Sequence, residues 1–255
     1  GGTIHERTTV TDVADRGVRT SRGDVRARTT VLATEAWTAR LPGRRRDLIP
    51  VYSLMVATEP LPASVWDEIG WADRETVTDG RHLIVYAQRT ADNRIAFGGR
   101  GAPYHFGSRI DRRFDRDPAT FRALEDALRE MFPQVSPTRI THRWGGPLGV
   151  PRDWHSGVGI SADGALAWAG GYVGDGVTTT NLAGRTLADL ILGEDTPRTG
   201  LEWVGNRSRR WEPEPLRWLA VRSMTASTRS ADRTEARTGR PARVRSAVIG
   251  ALTGH

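Results

Sequence analysis

The stretch GGYVGDGVTTTNLAGRTLADLIL occupies residues 170–192 and follows a short apolar run at 166–169. An apolar strand running into a glycine-rich turn and then into a helix is the expected reading. Ala183, Leu187, Leu190 and Ile191 fall at i, i+4, i+7 and i+8, which predicts one apolar helix face, and Gly193 supplies the stop. This arrangement aims unpaired backbone N–H groups and the positive end of a helix dipole at an anion. Two look-alike motifs are excluded. Residues 171–178 have the G-x4-G spacing of a phosphate-binding loop, but Val177 stands where that loop needs lysine, and the glycine order does not fit G-x-G-x-x-G. From spacing alone two readings stand: an anion or cofactor site, or a tight turn that packs a helix on a sheet.

Working outward, TTVLA (29–33) is a short β-branched run of the kind that forms a buried strand, and Thr34, Glu35, Ala36 and Trp37 follow it. A strand ending in a small residue and a threonine lets backbone approach a flat ligand, although a plain strand-to-loop junction reads the same. Ile4, Glu6, Thr8 and Val10 alternate as in a strand, and residues 18–27 read as a hairpin around the turn at 21–24. Strands are expected at 49–57, 83–88 and 95–98, the last two joined by Ala91-Asp92-Asn93, and a short helix at 62–69. A firmer helix starts with Asp117 as N-cap and Pro118 in the first turn and ends at Phe132. Its apolar stripe is Phe121, Leu124, Leu128, Met131 and Phe132. Further strands are expected at 138–144, 157–160 and 165–169. No internal repeat is present, so the organisation is sheet-rich α+β with α/β character at the glycine turn.

The composition narrows the chemistry. All 37 basic residues are arginine, and cysteine is absent. This excludes a lysine Schiff base, thiol nucleophiles, thiolate metal sites, disulfides and a cysteine tether to a cofactor. No pair of the six histidines has H-x3-H spacing, so no metal site is expected. The net charge of +7 suggests a polyanion partner, but residues 222–255 hold seven arginines against two acids, leaving only +2 on the rest. That C-terminal part lacks interleaved aromatics and is expected to be solvated or loosely docked, and no nucleic acid is expected as a partner. There is no apolar run of about 18 residues and no secretory pattern, so neither a membrane span nor export is expected, and the location expected is cytoplasmic.

Residues 170–192, together with VLATEAWT (31–38) and RWGGPLGVPRDW (143–154), resemble the C-terminal portion of FAD-dependent oxidoreductases of the D-amino-acid oxidase superfamily. The resemblance is strongest to the γ-glutamylputrescine-oxidase-like branch, beside the glycine and sarcosine oxidases. VYSLMVATEPLP (51–62), QRTADNRIAFGGRGAPY (88–104) and WEPEPLRW (211–218) extend it over nearly the whole chain. The resemblance implies non-covalent FAD, with Gly170, Gly171, Tyr172, Gly174, Asp175, Gly176, Val177 and Thr178 lining the isoalloxazine and ribityl region. It implies Val10 near the adenine, and Ala33, Thr34 and Trp37 beside the cofactor. Glu35 departs from the pattern, standing where a small residue is common.

The resemblance also implies a division of the chain. Residues 1–48 and 146–200 belong to an incomplete Rossmann-like FAD-binding domain, 49–145 to an antiparallel substrate sheet with one long helix, and 201–255 to a helical, arginine-rich tail. From the sheet it implies Tyr86 as an aromatic wall or hydrogen-bond donor, Arg100 as a partner for a substrate carboxylate, and Trp144 with Gly145 and Gly146 over the flavin. Arg152 is a second carboxylate candidate. Each of these also reads as an ordinary core aromatic or surface ion-pair partner.

The chemistry implied is dehydrogenation of an amine or amino acid next to nitrogen, imine hydrolysis, and reoxidation by O2 to give H2O2. Relatives open with G-x-G-x-x-G and an acidic ribose ligand, and neither is found here, so the chain is expected to be a fragment lacking the pyrophosphate site. Some relatives use a lysine to speed the O2 reaction. Its absence leaves that part to an arginine or to a histidine such as His105, or leaves the electrons to another acceptor. A flavin-free accessory or binding module that keeps only the substrate sheet is the competing reading.

Overall fold

A computed structural model of the chain describes residues 2–80, 82–99 and 104–240. Two compact units result, one from residues 1–50 and 148–217, the other mainly from residues 51–147 and the helix that follows residue 217.

In the first unit β1 (Val10–Ala14), β2 (Gly17–Thr20) and β3 (Gly23–Arg26) form an antiparallel meander. The alternation at Ile4–Thr8 does not produce a strand: the ladder begins at Val10, paired with Thr20, and Ile4 is 87% exposed with nothing apolar to cover it. The strand read at 29–33 is β4 (Thr30–Leu32). A six-residue 3-10 turn, Glu35–Arg40, follows it.

The second unit is built on a five-stranded antiparallel sheet. Its strands are β5 (Ile49–Thr58), β6 (Thr76–Thr78), β7 (Val85–Arg89), β8 (Ile95–Gly99) and β9 (Ile140–Val150), in the order β6-β7-β8-β5-β9. Between β5 and β6 lies α1 (Ala63–Ile69), ended by Gly70 in the left-handed conformation at φ 74°. Between β8 and β9 lies α2 (Pro118–Met131), where Asp117 caps the first turn by accepting the Thr120 N–H at 2.8 Å. The expected stripe Phe121, Leu124, Leu128 and Phe132 is buried against Tyr52, Leu54, Val56, Val85, Ala87, Ile95 and Phe97 of the sheet, with Met131 partly buried beside it. The alternating residues of β5, β7 and β8 thus supply one wall of a core, and the opposite sheet face is left to other uses.

Back in the first unit, β10 (Gly157–Ile160) and β11 (Leu166–Gly170) form a hairpin, and β11 runs parallel to β4. The glycine turn then leads into α3 (Gly176–Leu192), capped by Gly193 at φ 73°. Ala183 and Leu187 pack on Val158, Ala167, Ala169 and Tyr172, as their spacing predicts. Ile191 does not join them and is 39% exposed. The end of α3 is held instead by polar contacts: buried Asp189 accepts hydrogen bonds from Arg198 Nε and Thr196 Oγ1, both at 2.7 Å.

The arginine-rich end continues the second unit. Residues Leu216–Thr238 form one helix, α4, with Val221, Thr228 and Ala231 buried. In the second unit, Asp232 accepts the backbone N–H groups of His82 (2.8 Å) and Leu83 (3.1 Å), and Glu235 Oε1 lies 3.2 Å from His82 Nε2. These contacts dock the helix, the second of the two states that its composition left open.

Candidate functional site

Apart from Val10, the cofactor-side residues expected from sequence come from two chain segments of the first unit. Where β4 ends, Ala33 is exposed, Thr34 is half-buried and Trp37 is half-exposed under the Arg40 guanidinium, 4.5 Å from its ring centroid. Thr34 Oγ1 and Thr38 Oγ1 share a hydrogen bond of 2.8 Å. Where β11 ends, Gly171 (φ 75°) and Gly174 (φ 110°) take conformations that suit glycine, while Val173 is forced to φ 55°. A β-branched residue there is strained, and such strain persists only where surrounding contacts over-determine it. Gly171, Tyr172 and Val173 are buried. Gly174, Asp175, Val177 and Thr178 are exposed at the start of a 17-residue helix, Val177 to 93%.

The side chain that joins the two segments is Glu35. It sits at φ 43°, left-handed backbone that costs a non-glycine residue about 1 kcal/mol. Its Oε1 accepts the Tyr172 N–H at 2.9 Å, and Oε2 is buried without a hydrogen bond. Burial pushes the Glu35 carboxyl above its usual range. The backbone amides of Tyr172, Gly149, Gly171 and Ala36, in falling order, pull it back, the last three facing the carboxyl without forming a bond to Oε2. Burial, and secondarily the Glu35 charge, push the Tyr172 hydroxyl upward. Sequence reading noted that Glu35 departs from the pattern but missed this bond, because it spans 137 positions.

Val10 opens β1 in the same unit and is partly exposed. Arg152 is also in this unit. Its Nε lies 3.1 Å from Glu212 Oε1, and its guanidinium is 5.2 Å from the centroid of Trp211, whose Nε1 donates to the Val150 carbonyl at 2.8 Å. That arginine is therefore engaged within its own unit.

The substrate-side candidates lie in the second unit. Tyr86, Gly98 and Met55 stand side by side across β7, β8 and β5, on the sheet face opposite the core. Tyr86 Oη and Ser53 Oγ are 2.9 Å apart, and the Tyr86 ring lies across Gly98, where a Cβ would sit 2.6 Å from the ring. Gly145 faces the core side against Leu54, so its neighbours Trp144, 42% exposed, and Gly146 share the outer face with Tyr86. Arg100 lies outside the described residues. His105 is stacked on Phe114, ring centroids 3.4 Å apart. Burial first, then Arg109 and Arg113, lower its pKa. Ser53 and Gly98 went unremarked in the sequence, since neither residue type signals a site until register places it beside Tyr86.

The residues present suit the flavin end of FAD. Backbone amides at the exposed start of α3 are the donors that an anionic isoalloxazine edge requires, and the glycines leave room for close approach. The G-x-G-x-x-G element that would hold the pyrophosphate is absent from these 255 residues.

Comparison with known proteins gives the family and the fold. The family model described as DAO, FAD dependent oxidoreductase, matches residues 1–190. A probable oxidoreductase OrdL of Haemophilus influenzae is 31% identical over 205 residues, covering 76% of this chain and 44% of that protein. The gamma-glutamylputrescine oxidoreductase of Escherichia coli is 30% identical over 199 residues, with the same two coverages. The chain thus spans less than half the length of these relatives. The glycine oxidase of Geobacillus kaustophilus shares the fold, with a TM-score of 0.63 at 21% identity over 76% of this chain and 50% of that one. The chain belongs to the DAO family of FAD-dependent oxidoreductases.

Proposed function

We propose that this chain supplies the flavin-end turn and the substrate-facing sheet of an oxidoreductase that acts on the C–N bond of a small amine or amino acid, with FAD held non-covalently. The observation that carries this reading is the exposed glycine turn at the start of α3, tied to the end of β4 by Glu35. FAD, when bound, would supply the two-electron acceptor for a hydride from the carbon next to nitrogen; water would hydrolyse the imine, and O2 would take the two electrons with two protons to become H2O2.

The chain's own residues position and bind. The exposed amides at 174–178 stabilise negative charge at the flavin edge, and the absence of cysteine, which removes a thioether tether, supports the non-covalent reading. Tyr86, held by Ser53, offers a fixed hydroxyl on the outer sheet face, and Trp144 offers a flat apolar surface on the same face. Arg100 remains the proposed partner for a substrate carboxylate, since Arg152 is engaged with Glu212. Val10, Ala33, Thr34 and Trp37 are proposed to flank the cofactor.

Titration of the purified chain with riboflavin and with FAD, followed by flavin fluorescence, tests the division of labour. Both ligands are expected to bind with similar affinity, because the pyrophosphate motif is missing, and substitution of Gly174 by Val is expected to weaken both. Retention of one FAD per chain through desalting would overturn that partition, and failure of either ligand to bind would favour the flavin-free module. Amine-dependent H2O2 release, compared with reduction of a quinone dye, identifies the acceptor.

A further inference from the structure

Three segments of the first unit meet at the Glu35 carboxyl: its own turn after β4, the end of β9 at Gly149, and the glycine turn at Tyr172. A Cβ placed on Gly149 would overlap Glu35 Oε2 and lie 3.0 Å from the Ala36 nitrogen, so position 149 has space for the carboxyl only as glycine. The Cβ position of Gly170 lies 4.0 Å from the Glu35 Cα, which places the end of β11 directly against the same residue.

We propose that Glu35 is a positioning residue for the flavin end, a side-chain brace seated on Gly149 that sets the glycine turn from behind through the Tyr172 N–H. This rests on the reading that the turn receives a flavin. The argument is geometric. Tyr172 immediately precedes the strained Val173, and Asp175 N closes the turn on the Tyr172 carbonyl at 2.9 Å. Fixing the Tyr172 N–H fixes the 171–172 peptide plane, one Cα before the carbonyl on which that closure is made. Without Glu35 the N–H of a buried residue would lose its acceptor, a cost that falls on the turn itself. Because Oε2 is buried, the carboxyl acts inside the protein and not as an outward ligand.

A consequence concerns pH. The groups facing Glu35 are backbone amides from its own turn, from Gly149 and from Gly171, with Tyr172 the one titratable side chain acting across to it among the described residues. Burial is the largest influence on the carboxyl, so ionisation loads the brace, whereas the protonated acid still offers a carbonyl oxygen to the amide. Its pKa is raised on folding, so its ionisation penalises the folded state as pH rises above 4.5.

Hydrogen exchange of the Tyr172 amide, measured without flavin, tests the brace. Glu35→Ala is expected to speed that exchange roughly five- to tenfold, the loss of one buried hydrogen bond. Glu35→Gln is expected to keep protection within about twofold and to be more heat-stable than the wild type at pH 8 but not at pH 4. Gly149→Ala is expected to lower Tm in the wild-type and Glu35→Gln backgrounds, and to cost markedly less beside Glu35→Ala, where only the 3.0 Å approach to the Ala36 nitrogen remains. Unchanged Tyr172 exchange in Glu35→Ala, or an equal effect of Gly149→Ala in every background, would overturn the proposal. If Glu35→Ala fails to fold, Glu35→Met, which fills the space without an acceptor, decides: unchanged Tyr172 protection refutes the brace. Riboflavin affinity is read separately. Brace outcomes as expected with no riboflavin bound by the wild type would leave Glu35 supporting the turn, but overturn its flavin role together with the functional reading.

Discussion

Substitution of Gly98 by alanine probes the substrate-facing sheet directly. Gly98 lies between Met55 and Tyr86 in register, and an added Cβ would sit 2.6, 2.7 and 2.8 Å from Tyr86 Cε2, Cζ and Oη. Carbon atoms rest about 3.5–4.0 Å apart, so the ring must move by about 1 Å. The ring is the outer end of a half-buried side chain, so it swings before the strands do. That swing breaks the 2.9 Å contact with Ser53 Oγ, worth about 1 kcal/mol, and disturbs ring packing, for a total of about 1–3 kcal/mol. For a chain of this size the corresponding fall in Tm is roughly 3–10 °C. Thermal unfolding of Gly98→Ala, Tyr86→Ala and the double variant, followed by circular dichroism, gives the coupling. In the Tyr86→Ala background the glycine substitution is expected to cost less than about 0.5 kcal/mol. A Gly98→Ala penalty of the same size with and without the Tyr86 ring would refute the reasoning.

Leu128→Ala removes a side chain that is 1% exposed in the core between α2 and the five-stranded sheet, and should cost about 2–5 kcal/mol, seen as a lower urea midpoint with an unchanged slope. At the end of α3, the Asp189 carboxyl is held below its ordinary 3.8 first by Arg198 and then by Thr196. A lowered folded value contributes stability that is present above 3.8 and lost as pH falls through it, so Asp189→Asn should flatten the acid side of the stability curve between pH 2 and 5. An acid limb identical to that of the wild type would show that the Arg198 pair does not hold the helix end.

Local signals were legible and long-range ones were not. Asp117 with Pro118 marked the start of α2 correctly, because a cap and a preset φ are properties of adjacent residues. The strand–turn–helix at 166–192 was legible for the same reason, including the glycine stop. The alternation at Ile4–Thr8 misled, because period two describes a strand only when a partner covers its apolar side, and none does. The short β6 escaped notice since three residues carry no period, and it exists through pairing with β7. At the site, Glu35 could be seen as an odd residue but not as a brace: its partners at 149 and 172 are set by the parallel pairing of β4 with β11 and by the return of the chain through β9.

The charge reading changes most in three dimensions. A surplus of arginine first suggests a polyanion partner, yet among the described residues the guanidinium groups lie repeatedly on tryptophan. Arg40 lies over Trp37, Arg89 over Trp66, Arg152 over Trp211, Arg207 over Trp168 and Arg222 over Trp218, each between 4.2 and 5.2 Å from the ring centroid. Five of the nine tryptophans are so covered. Arg217 goes further: it is 1% exposed, pairs with Glu214 at 3.1 Å and donates to the Arg45 carbonyl. Planar stacking combined with several fixed donors is what guanidinium offers and an ammonium does not, so a lysine-free sequence loses nothing at these places. A cation committed to an indole face or a buried carboxylate has little left for a phosphate backbone. These six of the 37 arginines are therefore evidence about packing before they are evidence about a partner.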